Sequence, residues 1–135
     1  MKRGLSVLVA CMLPVWLAAC QPARVPAERV TVTSLSSSVD TNDPAHGMCQ
    51  SFALTRDDVS TFFRLASEVG GPEFHDGSII LPCRYEGTLT MEGEAWRFNI
   101  NAGGEGYLYR ADGIQRRYLC EQRCQKALGR VFGAD

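Results

Sequence analysis

Histidine and lysine are scarce in this 135-residue chain, with only His46, His75, Lys2 and Lys126. Neither histidine has a neighbouring Ser or Cys in a strand–turn context that would activate a nucleophile. They read as solvated loop residues. Excess charge of one sign is also missing. Fourteen basic residues face 15 acidic ones, a net charge of −1. That gives no electrostatic case for binding nucleic acid or an acidic membrane surface. Beyond residue 19 no apolar run approaches the roughly 20 residues of a membrane span. There is no internal repeat and no G-x-G-x-x-G segment opening a helix, so nucleotide binding is unsupported. The length allows one domain, and 45% hydrophobic against 21% charged residues fits a folded chain rather than a disordered tail.

The first twenty residues are of another kind. Lys2 and Arg3 precede an apolar stretch from Leu5 to Ala19, interrupted by Ser6 and Pro14. As a helix it would rise roughly 22 Å, short of a bilayer core of about 30 Å. It therefore reads as a signal peptide, residues 1–19. The stretch ends in Leu17-Ala18-Ala19-Cys20, which resembles the lipobox of bacterial lipoproteins. The resemblance implies that Cys20 becomes the lipidated N-terminus of a 116-residue mature chain, anchored stably by two or more acyl chains. Gln21 rather than Asp after the cysteine implies the periplasmic face of the outer membrane. The competing reading is an ordinary secretory signal with a chance cysteine behind it.

Removing residues 1–19 leaves 12 basic and 15 acidic residues, a charge of −3. It also changes the cysteine count. Cys11 goes with the leader and Cys20 is lipidated, so Cys49, Cys83, Cys120 and Cys124 remain. In an oxidising periplasm these are expected to form two disulfides, with three connectivities open. A zinc site or a redox role is disfavoured by the spacing, since Cys120-x-x-x-Cys124 is not a C-x-x-C motif.

Residues 20–47, the lipidated cysteine and the stretch behind it, read as a tether. They hold Pro22, Pro26, Pro44 and a Ser-rich run at 34–38, with no aromatic residue. A flexible coil of 27 residues would span about 30 Å. Within it, residues 28–33 alternate at period two and could instead add an edge strand. The domain proper is expected over 48–135. Thr55 and Asp58 suggest a capping box opening a helix over about 56–69, with Val59, Phe62, Phe63, Ala66 and Val69 on one face. Gly70-Gly71-Pro72 should stop it, leaving His75 in a loop.

Four strand-like runs come next. Residues 77–90 are broken by Pro82, and Glu92-Gly93-Glu94 looks like a hairpin turn. Residues 95–101 put Trp96, Phe98 and Ile100 on one face and Arg97, Asn99 and Asn101 on the other. Residues 107–110 and 114–120 form a second hairpin around Ala111-Asp112-Gly113. A short helix over about 121–128 would align Cys120, Cys124, Ala127 and Leu128. If that face packs inward, both cysteines point toward other cysteines, which favours Cys83–Cys120 and Cys49–Cys124. The expected fold class is α+β: a helix, an antiparallel sheet of about four strands and a short C-terminal helix, stapled by two disulfides.

The most unusual segment is Asn101-Ala102-Gly103-Gly104-Glu105-Gly106. It is either a turn needing positive φ or a recognition loop with aromatic anchors nearby. Gly103, Gly104, Glu105, Tyr107 and Tyr109 are the candidate partner-binding residues. Trp96, at an alternating strand position, reads more readily as core. Glu92, Glu94, Asp57 and Asp58 are explained by turn and capping roles, so no carboxylate pair suggests glycoside hydrolysis. The pattern Leu81-Pro82-Cys83, Trp96, Asn101-Ala102-Gly103 and Tyr118-x-Cys120 resembles small exported proteobacterial proteins of unknown function, and some small periplasmic lipoproteins of this general kind act as immunity proteins against antibacterial toxins. The expectation is therefore non-catalytic. It is a lipid-anchored periplasmic module binding a protein partner as an inhibitor or immunity protein, without cofactor, metal or nucleic acid. The alternative is a structural or assembly accessory of an envelope or secretion complex.

Overall fold

The computed structural model describes residues 29–132. The leader, Cys20 and residues 21–28 lie outside the described residues. Ten elements run in the order β1 (Val30–Val39), a 3-10 helix (Pro44–Cys49), α1 (Arg56–Leu65), β2 (Ser67–Glu68), α2 (Gly71–Gly77), β3 (Cys83–Met91), β4 (Glu94–Asn101), β5 (Glu105–Tyr109), β6 (Gln115–Leu119) and α3 (Gln122–Phe132). The class is α+β. The strands form one antiparallel sheet of six, in the order β1-β3-β4-β5-β6-β2, two more strands than expected.

The centre of the sheet follows the period-two pattern. Trp96, Phe98 and Ile100 of β4 are all buried, and Leu89 and Met91 of β3 join them on the same face. Glu92 and Gly93 close the β3–β4 hairpin with φ of 54° and 76°, the I′ geometry whose twist matches the strands. Against this inner face lie α1 and α3. Val59, Phe62 and Phe63 of α1 are at most 3% exposed. Phe63 meets Tyr118 of β6 edge-on at 5.3 Å between ring centres, a favoured aromatic arrangement. Cys124, Leu128 and Val131 bury the matching side of α3, whereas Ala127 is exposed.

The capping box is present. The Asp58 amide donates to the Thr55 hydroxyl oxygen at 3.2 Å, and the Thr55 amide donates to the Asp58 carboxylate at 2.8 Å. Arg130 of α3 also bonds Asp58, tying the two helices together. Burial pushes this carboxyl up. The bonds from Thr55 and Arg130 outweigh burial and hold it below the ordinary carboxylate value.

Several expectations change. The helix stops at Leu65, four residues early, because Ala66 takes an extended conformation. Ser67–Glu68 then pairs with Leu119 and Tyr118. Gly70-Gly71-Pro72 opens a helix of its own, with Pro72 in its first turn. Of the run at 77–90, only Cys83 onward is strand. The last helix extends to Phe132. The boundary expected at residue 48 also moves. Val30–Val39, assigned to the tether, is a ten-residue strand paired along β3. At the shift in register between Val32 and Ser34, the Ser34 hydroxyl accepts from the Thr88 amide at 2.9 Å.

The four cysteines are paired, but not in the connectivity that the helical-face argument favours. The bonds are Cys49–Cys83 and Cys120–Cys124, with Cα separations of 5.7 and 5.0 Å. Cys120 and Cys124 do point inward, being 7% and 0% exposed. However, β6 turns into α3 directly after Cys120, whose amide is held by the Gly104 carbonyl at 2.8 Å. The first helical turn therefore folds Cys124 back onto Cys120. Cys83 stands opposite Val39 at the end of β1, where the 3-10 helix delivers Cys49.

The bonds span 34 and 4 residues. Chain entropy alone assigns them about 4 and about 2 kcal/mol. Cys49→Ser with Cys83→Ser should therefore cost roughly twice what Cys120→Ser with Cys124→Ser costs in urea titration. Asp58→Ala should destabilise by about 1–2 kcal/mol at neutral pH. Because the folded value of Asp58 is depressed, its contribution is present above the unfolded value and lost as pH falls through the folded one. The gap between the parent protein and the variant should thus close below about pH 4.

Candidate functional site

The sheet's two faces are treated differently. Among the described residues the inner face carries α1 and α3, while the outer face carries α2, at the β5–β6 side. Phe74 of α2 packs on Tyr107 of β5 at 4.9 Å, and Leu119 of β6 lies under Gly77. From there a row of rings runs across the open face. Tyr107 and Tyr109 stack at 5.7 Å with planes 14° apart, and the Arg97 guanidinium lies 5.8 Å over the Tyr109 ring. The register enforces this row, since Arg97 pairs with Tyr109 and Asn99 with Tyr107, which in turn pairs with Arg117.

Burial pushes the Tyr107 phenol up, helped by the nearby Glu105 carboxylate and Tyr109 and opposed by Arg117. Burial also raises Tyr109, against the pull of Arg97 and Arg117. Both hydroxyls therefore remain protonated donors at neutral pH. Beside the row a shallow trough of about 680 Å³ is lined by Thr88, Thr90, Ala95, Arg97 and Tyr109 among others. Glu86 on this face is engaged by Arg84 and by the Asn99 amide. Arg97 and Arg117 make no ion pair among the described residues.

The Gly-rich segment has another role. Gly104 and Glu105 are buried, Glu105 to 3% exposure, and one oxygen of Glu105 has no hydrogen-bond partner among the described residues. The main chain of Ile79 presses on Gly103 where a Cβ would collide with its carbonyl. The Asn101 side chain fastens the two segments. Its amide donates to the Leu81 carbonyl at 2.6 Å, and its oxygen accepts from Leu81 at 3.0 Å and Gly103 at 2.9 Å. The structure thus divides the five expected contact residues. Tyr107 and Tyr109 lie on the open face, while Gly103, Gly104 and Glu105 form a packed support. That support holds up Ile79 and Ile80, which are 67% and 79% exposed. The sequence reading missed Ile79 and Ile80 by assigning them to a strand. It also missed Arg97, although its alternation against Trp96 and Phe98 was visible.

No protein-family model matches the chain, and neither a curated protein nor a solved structure does. The remaining chemistry-bearing groups have structural roles. Trp96 is 2% exposed, with the guanidinium groups of Arg110 and Arg116 at 5.4 and 5.1 Å from its ring centre. Arg110 pairs with Glu94 at 2.6 Å and Asp112 at 2.7 Å, and Arg116 with Glu92 at 3.5 Å and Glu68 at 3.9 Å. Trp96 is therefore a core residue lidded by a charge network. His46 sits in the 3-10 helix and His75 in α2, both exposed. Among the described residues no three His, Cys, Asp or Glu side chains converge as metal ligands. No helix among them is long and apolar enough to cross a membrane.

Asn101→Ala removes the two hydrogen bonds that bind Leu81 to the β4–β5 turn and the one that closes the turn on Gly103. It should cost about 1–3 kcal/mol. In hydrogen exchange, the Leu81 and Gly103 amides should lose protection ahead of the central strands. Protection unchanged at both amides would show that the clamp is not what orders this segment.

Proposed function

We propose that the protein is a lipid-anchored periplasmic binding module, held by Cys20 at the inner side of the outer membrane and acting on a protein partner as an inhibitor or immunity protein does. The observation that carries the binding reading is the open sheet face. Rigid rings with protonated hydroxyls, flanked by two guanidinium groups without an ion pair among the described residues, are the side chains that most often anchor protein interfaces. They sit on strands rather than on a mobile loop, so little entropy is lost when they are covered. The unpaired arginines select a partner surface that carries carboxylates, which would reach Arg97 and Arg117 while an apolar group covers the Tyr107–Tyr109 stack.

The anchoring half of the reading rests on the leader and the lipobox-like Leu17-Ala18-Ala19-Cys20. Cys20 precedes Val30, where β1 begins, by ten positions. A fully extended chain of that length reaches about 35 Å. The module then works close to the membrane.

Labelled palmitate should enter the protein and be lost in Cys20→Ser. A photo-crosslinking residue at position 109 should yield one dominant protein adduct in intact cells, and one at exposed Gln125 on α3 should not. Adding Arg97→Glu should reduce that adduct about tenfold or more. Equal labelling from positions 109 and 125, or indifference to Arg97→Glu, would sink the assignment of this face.

A further inference from the structure

Sheet edges are where unpaired backbone groups invite another strand, and folded proteins usually blunt them with charge, proline, bulges or brevity. The β2 edge is two residues long and ends at Gly70-Gly71-Pro72. The β1 edge is ten residues long, and Val30–Val39 contains neither charge nor proline. Its two halves differ. In the first half the bulge interrupts the ladder, and α1 reaches over the edge. Arg56 donates to the Val32 and Thr33 carbonyls at 3.0 and 3.1 Å, and Ser60 donates to the Val30 carbonyl at 3.1 Å. In the second half none of these devices is present among the described residues. Ser36, Ser37, Ser38 and Val39 are exposed. Among the described residues only β3 hydrogen-bonds to Leu35–Val39.

The residues of this open half identify what fits it. A second copy laid antiparallel on a two-fold axis through Ser37 sets Leu35 opposite Val39 of that copy and Ser36 opposite its Ser38. Leu35 and Val39 point to the core side of the sheet, opposite Gly87 and Cys83 of β3. Each apolar side chain thereby meets an apolar one, each hydroxyl meets a hydroxyl, and no charge is buried or opposed. Moving the axis to Ser36 places Leu35 opposite a serine, and moving it to Ser38 places Leu35 opposite Thr41, beyond the strand. An acidic or basic strand would find no complementary charge along this stretch.

We propose that the Leu35–Val39 edge is an isologous pairing site for a second copy of this chain, centred on Ser37. The two sheets join into one of twelve strands, with both tyrosine rows on the same side, since directly opposed residues share a face. The contact is small, and anchoring both copies in one membrane raises their effective concentration. This does not depend on what the open sheet face binds.

The test uses the full chain in cell envelopes and purified in detergent. In Ser37→Cys the two introduced thiols would sit on Cα atoms about 4.5–5.5 Å apart, within disulfide range. An oxidised, non-reducing gel should show a covalent dimer. Thr31→Cys, exposed on the same strand, should not cross-link, because in this register the two copies of residue 31 lie about 40 Å apart. Ser37→Lys places like charges directly opposite. It should abolish the dimer seen by sedimentation while leaving the circular dichroism of the folded chain unchanged, since residue 37 is exposed. Mass spectrometry confirming Cys49–Cys83 and Cys120–Cys124 in each variant excludes reshuffling. Cross-linking of Thr31→Cys equal to Ser37→Cys, or a parent protein that is monomeric with no Ser37→Cys dimer, overturns the proposal.

Discussion

The pleat of β4 is the constraint on which the rest depends. Trp96, Phe98 and Ile100 are buried at 2% exposure or less, and no one-residue slip of this strand is tolerable without putting all three into water. Once they face α1 and α3, Arg97, Asn99 and Asn101 must face the other way. Arg97 then lies on Tyr109, Asn99 bonds Glu86, and Asn101 fastens the Leu81 segment to the Gly103 turn. The core and the candidate binding face are two readings of one alternation. A substitution that loosens the first moves the second.

That alternation is local, which is why β3 to β6 were legible from residue order alone. The strands that were not legible are those whose partners lie far away. Ser34 meets Thr88 across 54 positions through a hydroxyl contact and a hydroxyl–amide bond, and nothing in a Ser-rich run announces it. Serine is poor at predicting strands because its side chain adds little burial. Here its hydroxyls bridge the bulge instead. β2 was hidden for a related reason. Ala66 and Val69 fit the helical spacing of α1, but Ser67–Glu68 gains a ladder with β6, and tertiary pairing overrode the periodicity.

The disulfides teach a different lesson. Cys120 and Cys124 are buried as their helical spacing predicts, yet facing inward does not mean facing distant residues. A strand that turns at once into a helix brings positions four apart within reach, while Cys49 and Cys83 meet only because β1 and β3 are neighbours. Pairing therefore depended on β1, the one long strand that the sequence reading left as tether. One element weighed only as an alternative, the edge strand suggested by residues 28–33, displaced two inferences at once.

The Gly-rich turn shows how a conspicuous segment can serve an inconspicuous one. Gly103 has no side chain because the main chain of Ile79 occupies that space, and Gly104 holds Cys120 through its carbonyl. Glycine at such positions marks close approach, and the approaching group can be the protein's own chain as readily as a ligand. The exposed features then stand on well-ordered supports. Ile79 and Ile80 rest on the turn clamped by Asn101, and Tyr107 and Tyr109 rest on strands braced by Phe74. In a domain of this size the core alone supplies little surplus stability. Two disulfides and a lidded Trp96 supply the rigidity that lets apolar and aromatic groups stay in water without rearranging the fold.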